Sequence, residues 1–167
     1  MSKLECTPIS PVFGARISGL DTSRPATAEE AQKVKAALRD FKLVIIPGDR
    51  LTVPQLASFG KSLNLGETEV FGAQKLVSSV LSGFPDEPEV LQLEYGPDKP
   101  PADINVWHQD HTWRKEVTRY ELSYVDAAPD VGGDVMYADA VRAFETLSAH
   151  FQEMLSQTTA LNVIARG

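Results

Sequence analysis

The sequence predicts an α+β or jelly-roll-like sheet architecture. Short apolar stretches with strand character occur along nearly the whole chain of 167 residues. Stretches with helical periodicity occur only early and late in it. Strands and helices therefore do not alternate strictly, as they do in a doubly wound fold, and a sheet with flanking helices is the architecture that this order favours.

Two helices are predicted in the first part of the chain. Residues 27–41 repeat apolar side chains on one helical face, and Thr27 and Glu30 have the spacing of a capping box. A second helix begins after Thr52, with Pro54 in its first turn. Strands are predicted at 4–10, at 12–20 and, as a buried strand ended by Pro47-Gly48, at 43–49.

The second part of the chain reads mostly as strands and loops. Residues 96–103 contain three prolines, which remove backbone donors and fix φ, so they predict a loop. Residues 140–158 predict a helix that breaks near Ser148. A loop is also predicted at 66–76 and a turn at 129–134, and the predicted strands are 76–83, 89–95, 105–113, 119–128, 135–139 and 159–165.

Composition narrows the class of protein. The length suits one ordinary domain, predicted to span 1–167. The net charge is -7 and basic residues form no run longer than a pair, which disfavours a nucleic-acid surface. No segment has the apolar length that a membrane span needs, and the lone cysteine, Cys6, fits a reducing compartment. A cytoplasmic protein with no nucleic-acid or membrane partner is therefore expected.

The stretch 105–113 holds two of the three histidines and both tryptophans. On a strand, side chains two residues apart point to the same face, so His108 and Asp110 are predicted to project together. With a second histidine, such a pair forms the facial triad of non-haem Fe(II) oxygenases, although these ligand types also suit Mn(II) or Zn(II). The alternative is a surface strand end with a solvated aspartate.

A third ligand is not evident from the residues alone. His111 directly follows Asp110, so on a regular strand it faces the opposite side. His150 lies in a helical stretch among apolar neighbours. A metallo-hydrolase motif of the form H-x-H-x-D-H is also absent, because position 106 is Val.

Four stretches carry a resemblance to a known family. Residues 9–25, 38–64, 105–113 and 127–148 stand in the order and spacing of family motifs, among them a metal strand and a Gly-Gly-Asp turn. Together they resemble the TauD/TfdA family of Fe(II)- and 2-oxoglutarate-dependent dioxygenases. The resemblance implies a double-stranded β-helix (jelly roll) with flanking helices. It also implies Fe(II) bound by His108 and Asp110, and oxidation of a small organic substrate coupled to decarboxylation of 2-oxoglutarate.

The resemblance also implies roles for four further positions. Trp113 matches an aromatic residue that lines the family's substrate pocket, and Val106 and His111 are assigned to the same pocket; ordinary core packing is the alternative for Trp113. Val135 stands where the family has a threonine whose hydroxyl binds the 2-oxoglutarate carboxylate. Valine has no donor, and loss of a hydrogen bond to a charged group costs roughly 1.5–3 kcal/mol.

Other family features have no counterpart. The distal histidine ligand and the arginine that binds 2-oxoglutarate follow the Gly-Gly-Asp turn at a distance that Gly167 precludes here. A C-terminally incomplete domain is therefore expected, from a fragment or a shortened relative. The open alternatives are a catalytically inactive interaction module and a homo-oligomer that pairs incomplete sheets. Residues 65–74 lack the histidine and tyrosine of taurine-specific members, so taurine is not expected as the substrate.

Overall fold

The computed structural model describes residues 4–66, 81–96, 98 and 106–163. The chain divides into two units, Met1–Val106 and Trp107–Gly167. Both helices and strands are present, as the predicted α+β class requires. The predicted single domain and the double-stranded β-helix stay predictions. Within the described part, no helix combines the length and the apolar character needed to cross a bilayer.

A three-stranded mixed sheet begins the first unit. β1 (Glu5–Pro8) pairs antiparallel with β2 (Ala15–Ser18), and β3 (Val44–Ile45) joins β2 in parallel. The sheet order is β1-β2-β3. The three strands confirm the strands predicted from the sequence, but each is shorter. β3 is not the buried strand that was expected, because it is a two-residue edge strand and the side chain of Ile45 is 41% exposed.

The connection between β1 and β2 depends on Gly14. Its φ is +90°, a left-handed conformation that favours glycine. A Cβ at this position would lie 2.9 Å from Cδ1 of Ile9. The amide of Ile9 donates to the Gly14 carbonyl at 3.0 Å, which closes the turn. The connection between the two predicted strands is therefore a turn, and it sets the antiparallel pairing of β1 with β2.

α1 (Ala28–Phe41) begins at the capping box that the sequence predicts. The Glu30 amide donates to Thr27 Oγ1 at 3.2 Å, and the Thr27 amide donates to Glu30 Oε2 at 2.7 Å. Arg24 donates to both oxygens of the same carboxylate, at 2.8 and 3.0 Å. One glutamate therefore satisfies a helix terminus and also ties the preceding loop to it.

Glu30 makes the stability of this terminus depend on pH. The Arg24 guanidinium, followed by the Thr27 amide, lowers the pKa of Glu30 from 4.5 to about 2. Because the pKa is lower in the folded state, this stabilisation is complete above pH 4.5 and is lost as the pH falls toward 2. Glutamine also completes a capping box, so Glu30→Gln removes the charge and keeps the cap.

Glu30→Gln is expected to lower the free energy of unfolding at pH 7 by about 0.5–1 kcal/mol, because the partner Arg24 is partly exposed. The difference from the wild type should shrink toward zero near pH 2, where Glu30 is increasingly protonated. Urea unfolding at a series of pH values, followed by circular dichroism, measures this. A difference that does not change with pH would contradict it.

α2 (Val53–Ser62) begins with the second predicted cap. Thr52 Oγ1 accepts from the Gln55 amide at 3.4 Å, and the Gln55 side chain accepts from the Thr52 amide at 2.9 Å. The helix packs against α1 and the sheet. The Ser62 hydroxyl accepts from the Ala26 amide at 2.7 Å, which links the end of α2 to the start of α1. The main cluster of buried apolar residues in the unit contains Ile17, Leu20, Val34, Ala37, Phe59 and Leu63.

A hairpin completes the first unit. β4 (Leu81–Gly83) pairs antiparallel with β5 (Leu91–Leu93). These strands confirm those predicted at 76–83 and 89–95, although residues 76–80 lie outside the described residues. The loop predicted at 66–76 also lies outside them except for residue 66, as does the loop at 96–103 except for residues 96 and 98.

The hairpin connection is tied to α2 by charge. Lys61 forms ion pairs with Glu89 and, at 3.9 Å, with Glu87. The Glu89 side chain is only 7% exposed, whereas that of Lys61 is 53% exposed. The Glu89 carboxylate is therefore largely shielded from water, and the Lys61 ammonium of α2 compensates its charge.

The second unit contains two short helices. α3 (Ala140–Glu145) is capped by Asp139, and α4 (Ala149–Ser156) is capped by Ser148. The helix break predicted near Ser148 is confirmed, because the Ser148 side chain accepts from the Phe151 amide and begins a new helix.

The strands predicted in the second unit are wrong for the residues that the structure describes. No strand forms within 106–163, although strands were expected at 105–113, 119–128, 135–139 and 159–165. The local pattern of these segments suits a strand, but a strand forms only where another strand accepts and donates its backbone hydrogen bonds. Their large apolar side chains are exposed instead, among them Tyr120, Leu122, Val125, Val135 and Met136.

Candidate metal site

His108 and Asp110 lie side by side in the second unit. The distance from His108 Nε2 to Asp110 Oδ1 is 3.5 Å, and about half of each side chain is exposed. The predicted proximity is therefore present, but the predicted cause is wrong. Residues 110–113 form a turn, so the shared face of a strand does not bring these side chains together.

The separation of the two donor atoms suits a shared divalent ion. Ligand atoms at about 2.0–2.1 Å from a metal lie about 3 Å apart at a right angle and about 3.4 Å apart in a tetrahedral arrangement. The observed 3.5 Å from Nε2 to Oδ1 needs only a small closure to reach these values. An imidazole and a carboxylate are also the donors that Fe(II), Mn(II) and Zn(II) accept. The pair therefore fits two adjacent positions around one ion.

A third donor is not brought to this pair by the described residues. Among residues 4–66, 81–96, 98 and 106–163, no three side chains of His, Cys, Asp or Glu group closely enough to hold a metal. His111 Nδ1 lies 2.6 Å from the Thr118 hydroxyl oxygen, so this nitrogen already has a partner. His150 lies on α4, where its ring meets the edge of Phe151 at 6.3 Å between centroids.

His111 and Trp113 form a small structured corner after the pair. Their rings meet edge to face, with centroids 5.3 Å apart and planes at 88°. The Arg114 amide donates to the His111 carbonyl at 2.9 Å and closes the turn. The Trp113 side chain is 45% exposed, so it is not a core residue of this unit. The substrate-pocket role of His111 and Trp113 stays a prediction, as does that of Val106, which is 69% exposed.

Val135 follows a turn that the sequence predicts. Gly132 and Gly133 have φ values of 81° and 74°, and a Cβ on Gly133 would lie 3.2 Å from Cγ of Pro129. Val135 is 72% exposed and offers no side-chain donor. Its expected contribution to co-substrate binding stays a prediction.

One residue of this region was missed from the sequence. Thr118 pairs with His111 across seven positions in a segment without helical or strand pairing. Neither hydrophobic periodicity nor a turn motif links two residues at that separation, so no sequence signal would have identified the contact.

Comparison with known proteins gives a family and partial relatives. The sequence profile of the family "Taurine catabolism dioxygenase TauD, TfdA family" matches residues 5–167. An alpha-ketoglutarate-dependent sulfonate dioxygenase of Saccharomyces cerevisiae is 38% identical over 50 residues, which is 30% of this chain and 12% of that protein. The crystal structure of AAD-2 with Mn(II) and N-oxalylglycine is 25% identical, with a TM-score of 0.37, over 40% of this chain and 26% of that one.

The matched parts of these two relatives are small, at about an eighth and a quarter of their lengths. The family match is different in extent, because it covers the chain from β1 to the last residue and includes the His108–Asp110 pair and the Gly132-Gly133 turn. Enzymes of this family use Fe(II) and 2-oxoglutarate, which are the cofactor and co-substrate expected from the sequence. The chain therefore belongs to the taurine catabolism dioxygenase TauD, TfdA family.

Proposed function

We propose that this chain serves an Fe(II)- and 2-oxoglutarate-dependent dioxygenase that oxidises a small organic substrate. The observation that carries the proposal is the 3.5 Å separation between His108 Nε2 and Asp110 Oδ1, within a chain that matches the family from residue 5 onward. The proposal includes the family's jelly roll for the whole protein and a third metal ligand from residues other than those described. In this proposal the chain supplies two of the metal ligands, both as a fragment and as a shortened form.

His108 and Asp110 would hold the ion through one nitrogen and one oxygen. When bound, iron with 2-oxoglutarate supplies the oxidising chemistry, and the protein supplies ligands, orientation and shielding from water. Both side chains are about half exposed, so an ion and its small-molecule partners have access to them. His111 and Trp113 are proposed to face the substrate, and Val135 to contribute shape without a hydrogen bond to the co-substrate.

The ligand assignment is tested by calorimetric titration with Mn(II) under argon. His108→Ala is expected to weaken one-to-one binding by more than the roughly 10- to 100-fold that loss of an outer-shell partner costs, because a direct ligand is removed. His150→Ala is the matched control and is expected to leave the affinity unchanged, since His150 lies on α4 beside Phe151. Equal affinities for the wild type and His108→Ala would contradict the assignment.

The reaction is tested separately. With Fe(II), ascorbate and 2-oxoglutarate, the full-length protein that carries this chain is expected to release succinate, even without a primary substrate. The same protein with Asp110→Ala is expected to release none above the background. Equal succinate release by the two proteins would show that the pair does not serve the reaction.

A second candidate function is a catalytically inactive relative that acts as an interaction module. Two observations favour it: no third donor joins the pair among the residues described, and many apolar side chains between 117 and 163 are exposed. Large apolar side chains that are exposed to solvent are available for contact with another protein. Tight one-to-one Mn(II) binding that His108→Ala abolishes would contradict this candidate.

A further inference from the structure

The residue directly after Asp110 has a strained backbone. His111 has φ +56°, in the left-handed region that is uncommon for residues other than glycine, although histidine is found there more often than most. Such a conformation persists only where the surrounding contacts hold it, and it often marks a functional constraint. The position of this strain, next to one candidate ligand, requires an explanation.

Three contacts hold His111 in this conformation. Its Nδ1 lies 2.6 Å from the Thr118 hydroxyl oxygen. Its ring and the Trp113 ring pack in a T-shaped arrangement, with centroids 5.3 Å apart and planes at 88°. Its carbonyl accepts from the Arg114 amide at 2.9 Å. Backbone, ring and side-chain nitrogen are therefore all engaged, and each contact reaches toward residues that follow His111.

The φ torsion of His111 lies between the His108–Asp110 pair and Trp113 along the chain. His108 and Asp110 both precede the N–Cα bond of His111, so rotation about that bond moves them together and leaves their mutual distance unchanged. Trp113 follows the bond. The φ of His111 therefore sets the direction in which the ligand pair points relative to the Trp113 ring, and does not set the spacing of the pair itself.

We propose that His111 is a positioning residue: its left-handed conformation, held by Thr118 and Trp113, fixes the direction in which the His108–Asp110 pair points relative to the Trp113 ring. The inference rests on the proposed function, because the orientation of the pair matters only if the pair holds a metal. It assigns His111 a task other than metal binding, although His111 is adjacent to a candidate ligand.

The experiment uses the whole chain and two substitutions at one position. His111→Val introduces a β-branched residue, for which a positive φ is a genuine outlier, and removes the ring nitrogen. His111→Asn is the conservative variant, since asparagine tolerates the left-handed region and its amide can reach a hydroxyl. Circular dichroism first verifies that both variants retain the helices of the wild type.

The first measurement needs no metal. Residual dipolar couplings of the amides from 108 to 116 report the orientation of the segment before His111 relative to the segment after it. The wild type and His111→Asn are expected to share one set of couplings, together with the strong intraresidue amide-to-Hα contact that a positive φ produces. His111→Val is expected to lose both. Unchanged couplings in His111→Val would overturn the inference.

The second measurement uses Mn(II) as the probe. The Mn(II) affinity of each protein is measured first, so that the relaxation is compared at equal occupancy of the site. The paramagnetic relaxation of the Trp113 indole proton is expected to differ in His111→Val and to be restored in His111→Asn. Equal relaxation in all three would overturn the inference. Absence of Mn(II) binding to the wild type would instead contradict the proposed function, and the metal-free couplings would still decide the role of His111.

Discussion

Replacing Phe59 by alanine is expected to destabilise the first unit by about 3–5 kcal/mol, the range for truncation of a buried phenylalanine. The Phe59 side chain is 2% exposed and lies in the core where α1, α2 and the sheet meet. Truncation removes apolar contact area and leaves a cavity in this core. Hydrogen exchange of the α1 and α2 amides, together with urea unfolding, measures the loss.

The same substitution at an exposed position provides the control. The Phe151 side chain on α4 is 52% exposed. Phe151→Ala is therefore expected to change the free energy of unfolding by about 0.5 kcal/mol or less. If Phe59→Ala costs no more than Phe151→Ala, the packing of α2 against the sheet is not as the structure has it.

Replacing Lys61 by methionine is expected to cost about 2–3 kcal/mol at pH 7, because it leaves the Glu89 carboxylate largely buried and without its cation. Methionine keeps the apolar stem of the lysine, so packing changes little. The exposed lysine keeps the expected cost below that of breaking a fully buried pair.

The loss of stability in Lys61→Met is expected to become smaller as the pH falls. Burial is the largest influence on the Glu89 carboxyl and acts to raise its pKa, but Lys61 and local hydrogen bonds together lower the pKa below its usual 4.5. In the wild type, this group therefore stabilises the fold above pH 4.5, and that stabilisation is lost as the pH falls through the folded-state pKa. Without Lys61 the effect of burial dominates, the folded-state pKa is raised, and acidification should recover stability.

Lys33→Met is the matched control for Lys61→Met. Lys33 pairs with Glu29 at 2.8 Å across one turn of α1, and the Glu29 side chain is 79% exposed. An exposed pair of this kind contributes about 0.3–0.5 kcal/mol. Urea unfolding of both variants at pH 7 and near pH 4 compares them. A loss in Lys61→Met that grows as the pH falls would show that Glu89 is not buried as described.

Local signals made the helices predictable. Thr27 with Glu30, Thr52 with Pro54, and Ser148 each lie where a helix begins, because a cap is satisfied by residues within one turn of itself. The turn at Gly14 also has a local cause, since glycine by itself meets the requirement for a positive φ, but only the strands on either side of it were predicted.

Contacts between distant residues were not predictable in this way. The Lys61–Glu89 pair joins a helix to a hairpin connection across 28 positions, and no spacing rule selects these two from the other charged residues. The strands expected within 106–163 failed for a related reason. Their alternation indicates which face is apolar, but it does not provide a partner strand.

The candidate site also combines local features that the sequence predicts with contacts that it does not predict. By itself, the sequence determined the helix starts and the family motifs, and it predicted His108 and Asp110 as metal ligands, because these depend on residue type and short spacing. Only the tertiary structure decided that the two side chains meet outside a strand, 3.5 Å apart, and that His111 beside them adopts a left-handed conformation held by Thr118. A backbone torsion that costs energy is stable only when contacts in the folded protein offset that cost. The spacing of residues along the sequence does not reveal those contacts.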